Sequence, residues 1–224
     1  MKKSWLGICF VAVCVLLGGC SGATINEIAK NNLSEIVMNY FVGNTQKFSI
    51  NMSSGVRENP YQLDGISNDL VEFCVLTIIP NEGVVANGVE YTVEVNEVSY
   101  EGVFENSPFD KSLASDLEIA LQPADEIYVY IILNEETEIA KLECITNTFE
   151  INQTEAVDLA IEHSFDKLID LSNDNTESIE GYCKVITTDK NLSIYFWYVS
   201  FVNTQNKIVA VVINPNTGEI VASQ

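Results

Sequence analysis

"LVEFCVLTII", residues 70–79, carries one charge in ten positions and is rich in β-branched side chains. Short apolar runs of this kind, ended by a turn signal, read as buried strands. The turn signal is Pro80-Asn81-Glu82-Gly83. Because both alternating sets of side chains are apolar, neither face of the strand suits water, and the stretch predicts a central strand. Its neighbours agree. "EIVMNYFV" (35–42) and "KFSINMSS" (47–54) flank Gly43-Asn44-Thr45-Gln46 and read as a hairpin. "RENPYQLDGISND" (57–69) is a loop of turn-forming residues.

Downstream, "VEYTVEV" (89–95) and "SYEGVFE" (99–105) alternate as strands. "KSLASDLEIALQ" reads as a short helix from Ser112 to Leu121, stopped near Pro123. "EIYVYIIL" (126–133) and "EIAKLECIT" (138–146) predict a second hairpin across Asn134-Glu135-Glu136-Thr137. About seven strands and one helix predict a β-rich domain over residues 34–148, with an immunoglobulin-like sandwich as the first choice. The loops beginning "GVRENPYQLDGISNDL" (55–70) and "GVFENSPFDKSLASDL" (102–117) share spaced Gly, Val, Glu, Asn, Asp and Leu. Their flanks differ, which points to similar loop chemistry rather than duplication; the sharper reading places both at one end of the sandwich.

The pattern changes near residue 150. "INQTEAVDLAIEHSFDKLI" (151–169) puts Val157, Ala160, Ile161, Ser164, Phe165 and Leu168 on one helical face. Asn152 is placed to cap it, with Glu155 three residues on reaching back, and Ile151 and Ala156 suit a hydrophobic staple. Strands follow near 181–188, 192–203, 207–213 and 219–222. "TEAVDLA", "WYVSF" (Trp197–Phe201) and "VAVVINPNTGEIVA" (209–222) together resemble the PepSY family, in which a helix precedes an antiparallel sheet and a Thr-Gly-Glu hairpin closes the module. Asn214, Thr217, Gly218 and Glu219 fill that hairpin motif. Asn214 stands where the family often has Asp, and the loop from Ser172 to Ser178 is longer than usual. The resemblance covers residues 149–224. It implies a helix-on-antiparallel-sheet domain there and a binding or regulatory role toward peptidases without catalytic residues; with the β-rich domain of residues 34–148, the expected fold class is α+β.

The first residues address the chain. "MKKSWLGICFVAVCVLLGGCSG" has two lysines, an apolar stretch from Trp5 to Leu17 and then small residues. That is the layout of a secretory signal peptide, and the stretch is short for a membrane span. Leu17-Gly18-Gly19-Cys20 resembles a bacterial lipobox. The resemblance implies cleavage after residue 19, lipidation of Cys20, and attachment to the extracytoplasmic face of the cell membrane. Residues 20–33 then read as the lipidated Cys and a tether. Loss of Lys2 and Lys3 leaves nine basic against 32 acidic residues, a net charge of −23. Such a surface repels nucleic acid and favours cationic partners.

Cys74, Cys144 and Cys183 remain in the processed chain. Cys74 and Cys144 suit either a disulfide or buried thiols. His163 is the one histidine and falls off the apolar helix face, so multi-histidine zinc sites and HExxH are excluded. Asp170, Ser172, Asp174, Thr176 and Ser178 imitate the start of a calcium loop, but Asn175 replaces the turn glycine and Gly181 the bidentate Glu. No catalytic, metal or cofactor residues are assigned. Tyr128 and Tyr130 share one strand face, and Trp197 sits on another strand. At such spacing they are core or cross-strand partners, or, if exposed, a surface for a peptide or glycan. The expected protein is a non-enzymatic envelope-binding lipoprotein whose partner is an envelope protein or peptidase; the alternative is an adhesion or ligand-binding lipoprotein.

Overall fold

The computed structural model describes residues 24–108, 110–172, 179–187 and 194–224. The signal segment, Cys20 and its lipobox, residues 20–23 of the tether, and most of the calcium-like stretch lie outside these residues. In chain order the elements are α1 (Ile25–Asn31), β1 (Leu33–Asn44), β2 (Phe48–Glu58), β3 (Leu70–Pro80), β4 (Glu90–Val95), β5 (Val98–Val103), β6 (Glu105–Asn106), β7 (Leu113–Asp116), β8 (Ile127–Leu133) and β9 (Glu136–Cys144). A 3₁₀ turn at Thr146–Thr148 leads to α2 (Gln153–His163), α3 (Phe165–Leu171), β10 (Ile179–Thr187), β11 (Tyr195–Asn203), β12 (Ile208–Ile213) and β13 (Ile220–Ser223).

All thirteen strands belong to one connected sheet. Its first part curls into a nearly closed antiparallel barrel in the order β1-β2-β3-β7-β6/β5-β4-β8-β9 and back to β1. Closure at one seam comes from chain continuity. β5 pairs with β4, and one residue later, beyond Phe104, β6 pairs with β7. Phe104 points inward and is 5% exposed, and its N–H donates to the Val89 carbonyl at 3.0 Å. At the other seam Phe41 and Val42 of β1 pair with Cys144 and Glu143 of β9. The barrel interior holds inward side chains that include Phe41, Ile50, Met52, Leu76, Ile78, Val93 and Ile131.

The expected α+β pair of domains, a sandwich followed by a helix-on-sheet domain, is overturned by this sheet. The protein is mostly antiparallel β, with three α-helices among the described residues. The reason lies in β1. Its C-terminal end belongs to the barrel, while Leu33–Ile36 pair in parallel with Gly181–Cys183 of β10. β10 through β13 therefore extend the same sheet. Between these two pairings β1 changes neighbours at a bulge between Val37 and Asn39. Gly55 of β2 lies under that bulge. A Cβ there would stand 2.0 Å from the Ile36 carbonyl oxygen, so the close approach requires glycine.

β3 is central, as its apolarity predicts, and it touches two cores. Cys74, Leu76 and Ile78 face the barrel interior; Phe73, with Val75 packed beside it, belongs to a second core shared with α1–α3 and β10–β12. The helix expected at 112–121 is instead β7 and an irregular segment. Leu113, Leu117 and Leu121 are all buried. Their spacing of four suits one side of a strand as well as one side of a helix, and pairing of Leu113–Asp116 with β3 decides between them. The two similar loops also separate. Residues 59–69 join β2 to β3 at the Leu70 end of β3, whereas Ser107 and Ser112 close β6–β7 beside the Ile78 end.

Asn152 caps α2, and Asn152 and Glu155 exchange both capping-box hydrogen bonds. The chain breaks between α2 and α3 at Ser164, which turns Phe165 outward to 41% exposure while Leu168 stays buried.

Candidate functional site

β10 reads "IEGYCKVIT". Ile179, Cys183 and Val185 enter the second core. Alternation along the strand sends Glu180, Tyr182 and Lys184 to the opposite face. The 59–69 loop folds over that face and closes a network of three low-exposure carboxylates, Glu35, Glu58 and Glu180, with two tyrosines.

Glu58, 1% exposed, holds the loop from within. Its Oε1 accepts from the Gln62 N–H at 3.1 Å, and its Oε2 accepts from the Asn68 N–H at 3.1 Å and Asn68 Nδ2 at 3.2 Å. Glu35 Oε2 pairs with Lys184 Nζ at 2.8 Å, and the same ammonium donates to the Tyr61 hydroxyl at 2.7 Å. Lys184 lies over the rings of both Tyr61 and Tyr182, and these rings meet edge to face.

Glu180 and Tyr182 share a short hydrogen bond, and the Tyr182 hydroxyl also donates to the Gln62 carbonyl at 3.0 Å. A phenol carries one proton. Glu180 and the Gln62 carbonyl both stand as acceptors for that one proton. Burial pushes the Glu180 carboxyl above its ordinary range and the Glu58 and Asp64 charges add to this, against hydrogen bonds from Tyr182 and the Gly65 backbone. Burial and the neighbouring Glu180 raise the Tyr182 phenol as well, so it stays protonated.

This raised value has a stability consequence. A carboxyl whose folded pKa exceeds its unfolded one stabilises the fold while neutral. The contribution is fully present below the ordinary glutamate value of 4.5 and is lost as pH rises through the folded value. The stability of the native chain minus that of Glu180→Gln therefore falls as pH is raised from below 4.5 to above it. Urea unfolding of both proteins across that range checks it; a flat difference would remove the proton from the account.

Beside the network runs a cleft of about 560 Å³, bounded by Arg57, Tyr61, Val71, Phe73, Asp116 and Ile119. Arg57 pairs with Asp116 at 2.9 Å and its guanidinium lies 5.0 Å from the Phe73 ring centre. A second cavity of about 440 Å³ adjoins it, sharing Glu72, Phe73 and Ala120 and reaching Asn152 and Trp197. Chemically, the network ties down a loop, and the cleft offers a surface. Among the described residues no group of three or more His, Cys, Asp and Glu is placed to hold a metal ion.

The residues singled out by sequence do not converge. Trp197 is 1% exposed; its Nε1 donates to the Ile151 carbonyl at 2.7 Å and its ring meets Phe149 edge to face. It is a core residue and offers no recognition surface. Tyr128 and Tyr130 are half-buried on the outer side of β8, donating to Glu126 and Glu94. Asn214, Thr217, Gly218 and Glu219 form the last hairpin. The Gly218 N–H reaches the Asn214 carbonyl, the Glu219 N–H reaches Thr217 Oγ1, and Gly218 takes φ +71° against Leu159 of α2. The Ile151 N–H donates to the Pro215 carbonyl, so this hairpin, Trp197 and the start of α2 are tied together at Ile151. His163 is exposed, with Nε2 3.3 Å from Ser223 Oγ. Cys74, Cys144 and Cys183 are free thiols; burial raises Cys74 and Cys183 to about 12, which makes both poor nucleophiles.

Glu35, Glu58, Glu180 and Tyr182 escaped the sequence reading. The available signal was the alternation of Glu180, Tyr182 and Lys184 against Ile179, Cys183 and Val185. No family model matches the chain, and no curated protein or solved structure matches it either.

Proposed function

We propose that this protein is a lipid-anchored binding module of the cell envelope, held at the extracytoplasmic face of the membrane through Cys20, where it engages an envelope protein, a peptidase among the candidates, without chemistry of its own. The observation that carries the binding reading is the cleft beside β3. It is edged by a stretch of β3 that no described strand covers and by exposed apolar side chains, while Glu58 in its lining is engaged by the protein's own loop. Glu58, the buried carboxylate of the cleft lining, has both oxygens occupied from within and serves the loop.

The anchoring part rests on the lipobox-like Leu17-Gly18-Gly19-Cys20 behind its apolar run. The acyl chains of a diacylglyceryl group on the Cys20 sulfur would add about 0.8 kcal/mol of membrane affinity per buried CH₂. In cells making the full chain, the native protein is expected in the membrane pellet and Cys20→Ser in the soluble fraction. Equal partition of the two would end the anchoring proposal. A deletion strain with unchanged secreted proteolysis would count against a peptidase as the partner.

A second reading, adhesion to a peptide or glycan, draws on Tyr128 and Tyr130 of β8 and the neighbouring Ile139 of β9, which is 58% exposed. Loss of surface adhesion in a Tyr128→Ala, Tyr130→Ala double variant separates it from the first.

A further inference from the structure

β3 outruns its neighbour. It is eleven residues long and pairs along its whole length with β2, but β7 covers only Val75–Ile78 on its other edge. The last contact on that side is the Leu117 N–H donating to the Cys74 carbonyl at 2.8 Å. In an antiparallel strand, a residue's N–H and C=O point to the same side and the side alternates from residue to residue. Cys74 faces the β7 side, so Glu72 and Leu70 do too, and their four backbone groups look into the cleft with no strand of the barrel opposite. An open run of this kind is a template for another strand.

Three features surround the open run. Tyr61 and Val71, which line the cleft, and the neighbouring Leu70, all 40% exposed or more, form an apolar margin at the start of the 59–69 loop and of β3. The segment beyond β7, Leu117–Ala120, diverges from β3 and forms the opposite wall. The charge around the cleft is acidic: Asp69, Glu72, Asp116 and Glu118 are exposed, against Arg57 as the cation lining it among the described residues.

We infer that the free edge of β3 at Leu70–Glu72 receives an extended, basic segment of another protein, added as a strand. This rests on the binding reading above and names the partner's chemistry. Backbone pairing supplies the register, apolar side chains of the segment meet Tyr61, Leu70 and Val71, and its Lys or Arg side chains meet Glu72, Glu118 and Asp116. A second copy of this chain is disfavoured by the same charges. Two-fold pairing of Leu70–Glu72 with its copy would gather Glu72, Asp69, Asp116 and Glu118 of both chains around one seam, and like charges brought together there oppose the pair.

The test uses the purified chain without its signal segment and a blocked heptapeptide of alternating lysine and valine. A glutamate–valine heptapeptide serves as the control. The lysine–valine peptide is expected to bind and to slow amide exchange at Leu70 and Glu72. The control is expected to bind at least about tenfold more weakly. Glu72→Pro removes an N–H that no described strand uses and is expected to weaken binding about tenfold. If that variant is not folded, the Glu72→Lys, Glu118→Lys double variant, which leaves the backbone intact, is expected to weaken the lysine–valine peptide to a similar degree. The proposal is overturned by no binding of that peptide, by equal binding of both peptides, or by protection that falls on β13 instead. It is also overturned if the protein alone forms a dimer that these variants dissolve, since the second copy is then the occupant. Membrane retention through Cys20 is read separately, so either result leaves the anchoring question independent.

Discussion

Trp197→Ala lowers the unfolding free energy by about 4 kcal/mol, the range for truncating a buried Trp in a packed core. Two effects add. The indole, 1% exposed, leaves a void between Phe149, Val185 and the helices. The Ile151 carbonyl also loses the donor that holds it at 2.7 Å. Ile151 is where the chain enters α2, and its N–H is held by Pro215 of the last hairpin. Loosening it affects helix and hairpin together. Trp197→Phe keeps an apolar ring but not the N–H, and is expected to lose about 2 kcal/mol. Trp5 belongs to the proposed signal segment, so Trp197 is the sole indole of the processed chain. Far-UV circular dichroism during urea unfolding is the suitable measurement for that reason. A Trp197→Ala protein within 1 kcal/mol of the native one would mean that the core closes around the gap, contrary to the packing described.

Glu58→Ala lowers stability by about 3 kcal/mol and frees the 59–69 loop. The carboxylate is the acceptor for two backbone N–H groups and one side-chain amide of that loop. Hydrogen bonds to a charged group contribute about 1.5–3 kcal/mol each, and water recovers part of this once the loop opens. The diagnostic variant is Glu58→Gln. It matches the size of Glu, but its NH₂ must face either the Gln62 N–H or the Asn68 donors, so a donor meets a donor. Its loss is therefore expected to approach that of Ala. Faster amide exchange at Gln62 and Asn68 in both variants localises the effect. Native-like exchange in Glu58→Gln would show that the loop is held by other contacts, Tyr182 with the Gln62 carbonyl first among them.

Loop release also bears on the cleft. Tyr61 of its apolar margin is carried by the same loop. The buried acidic network is thus a structural support for a surface, rather than a centre of chemistry.

Much of this molecule is legible along the chain. Each strand of the hairpins could be placed because one face is apolar and the other polar, a local property. The helix start at Asn152 was equally readable, since a cap and its capping box involve residues three apart. The Asn214–Glu219 turn followed from Gly218 and its neighbours for the same reason. Reading failed where two structures share one spacing. Leu113, Leu117 and Leu121 satisfy a helix and a strand alike, and only β3 beside them chooses the strand. It failed again at Phe165, where a break at Ser164 rotates the apolar face.

The sequence by itself determined a β-rich chain, its turns, its capped helix and its strongly acidic surface, because each depends on residues close in the chain or on composition. Tertiary structure alone decided that the strands form one sheet curled into a barrel and extended beyond it. That outcome depends on which edges meet: β1 with both β9 and β10, and β5 running on into β6. Backbone hydrogen bonds between edges are alike whatever side chains flank them, so the sequence carries little record of the choice. The candidate site follows the same rule. Glu58 and Glu180 stand far apart in the chain and become neighbours only when the 59–69 loop folds over β10.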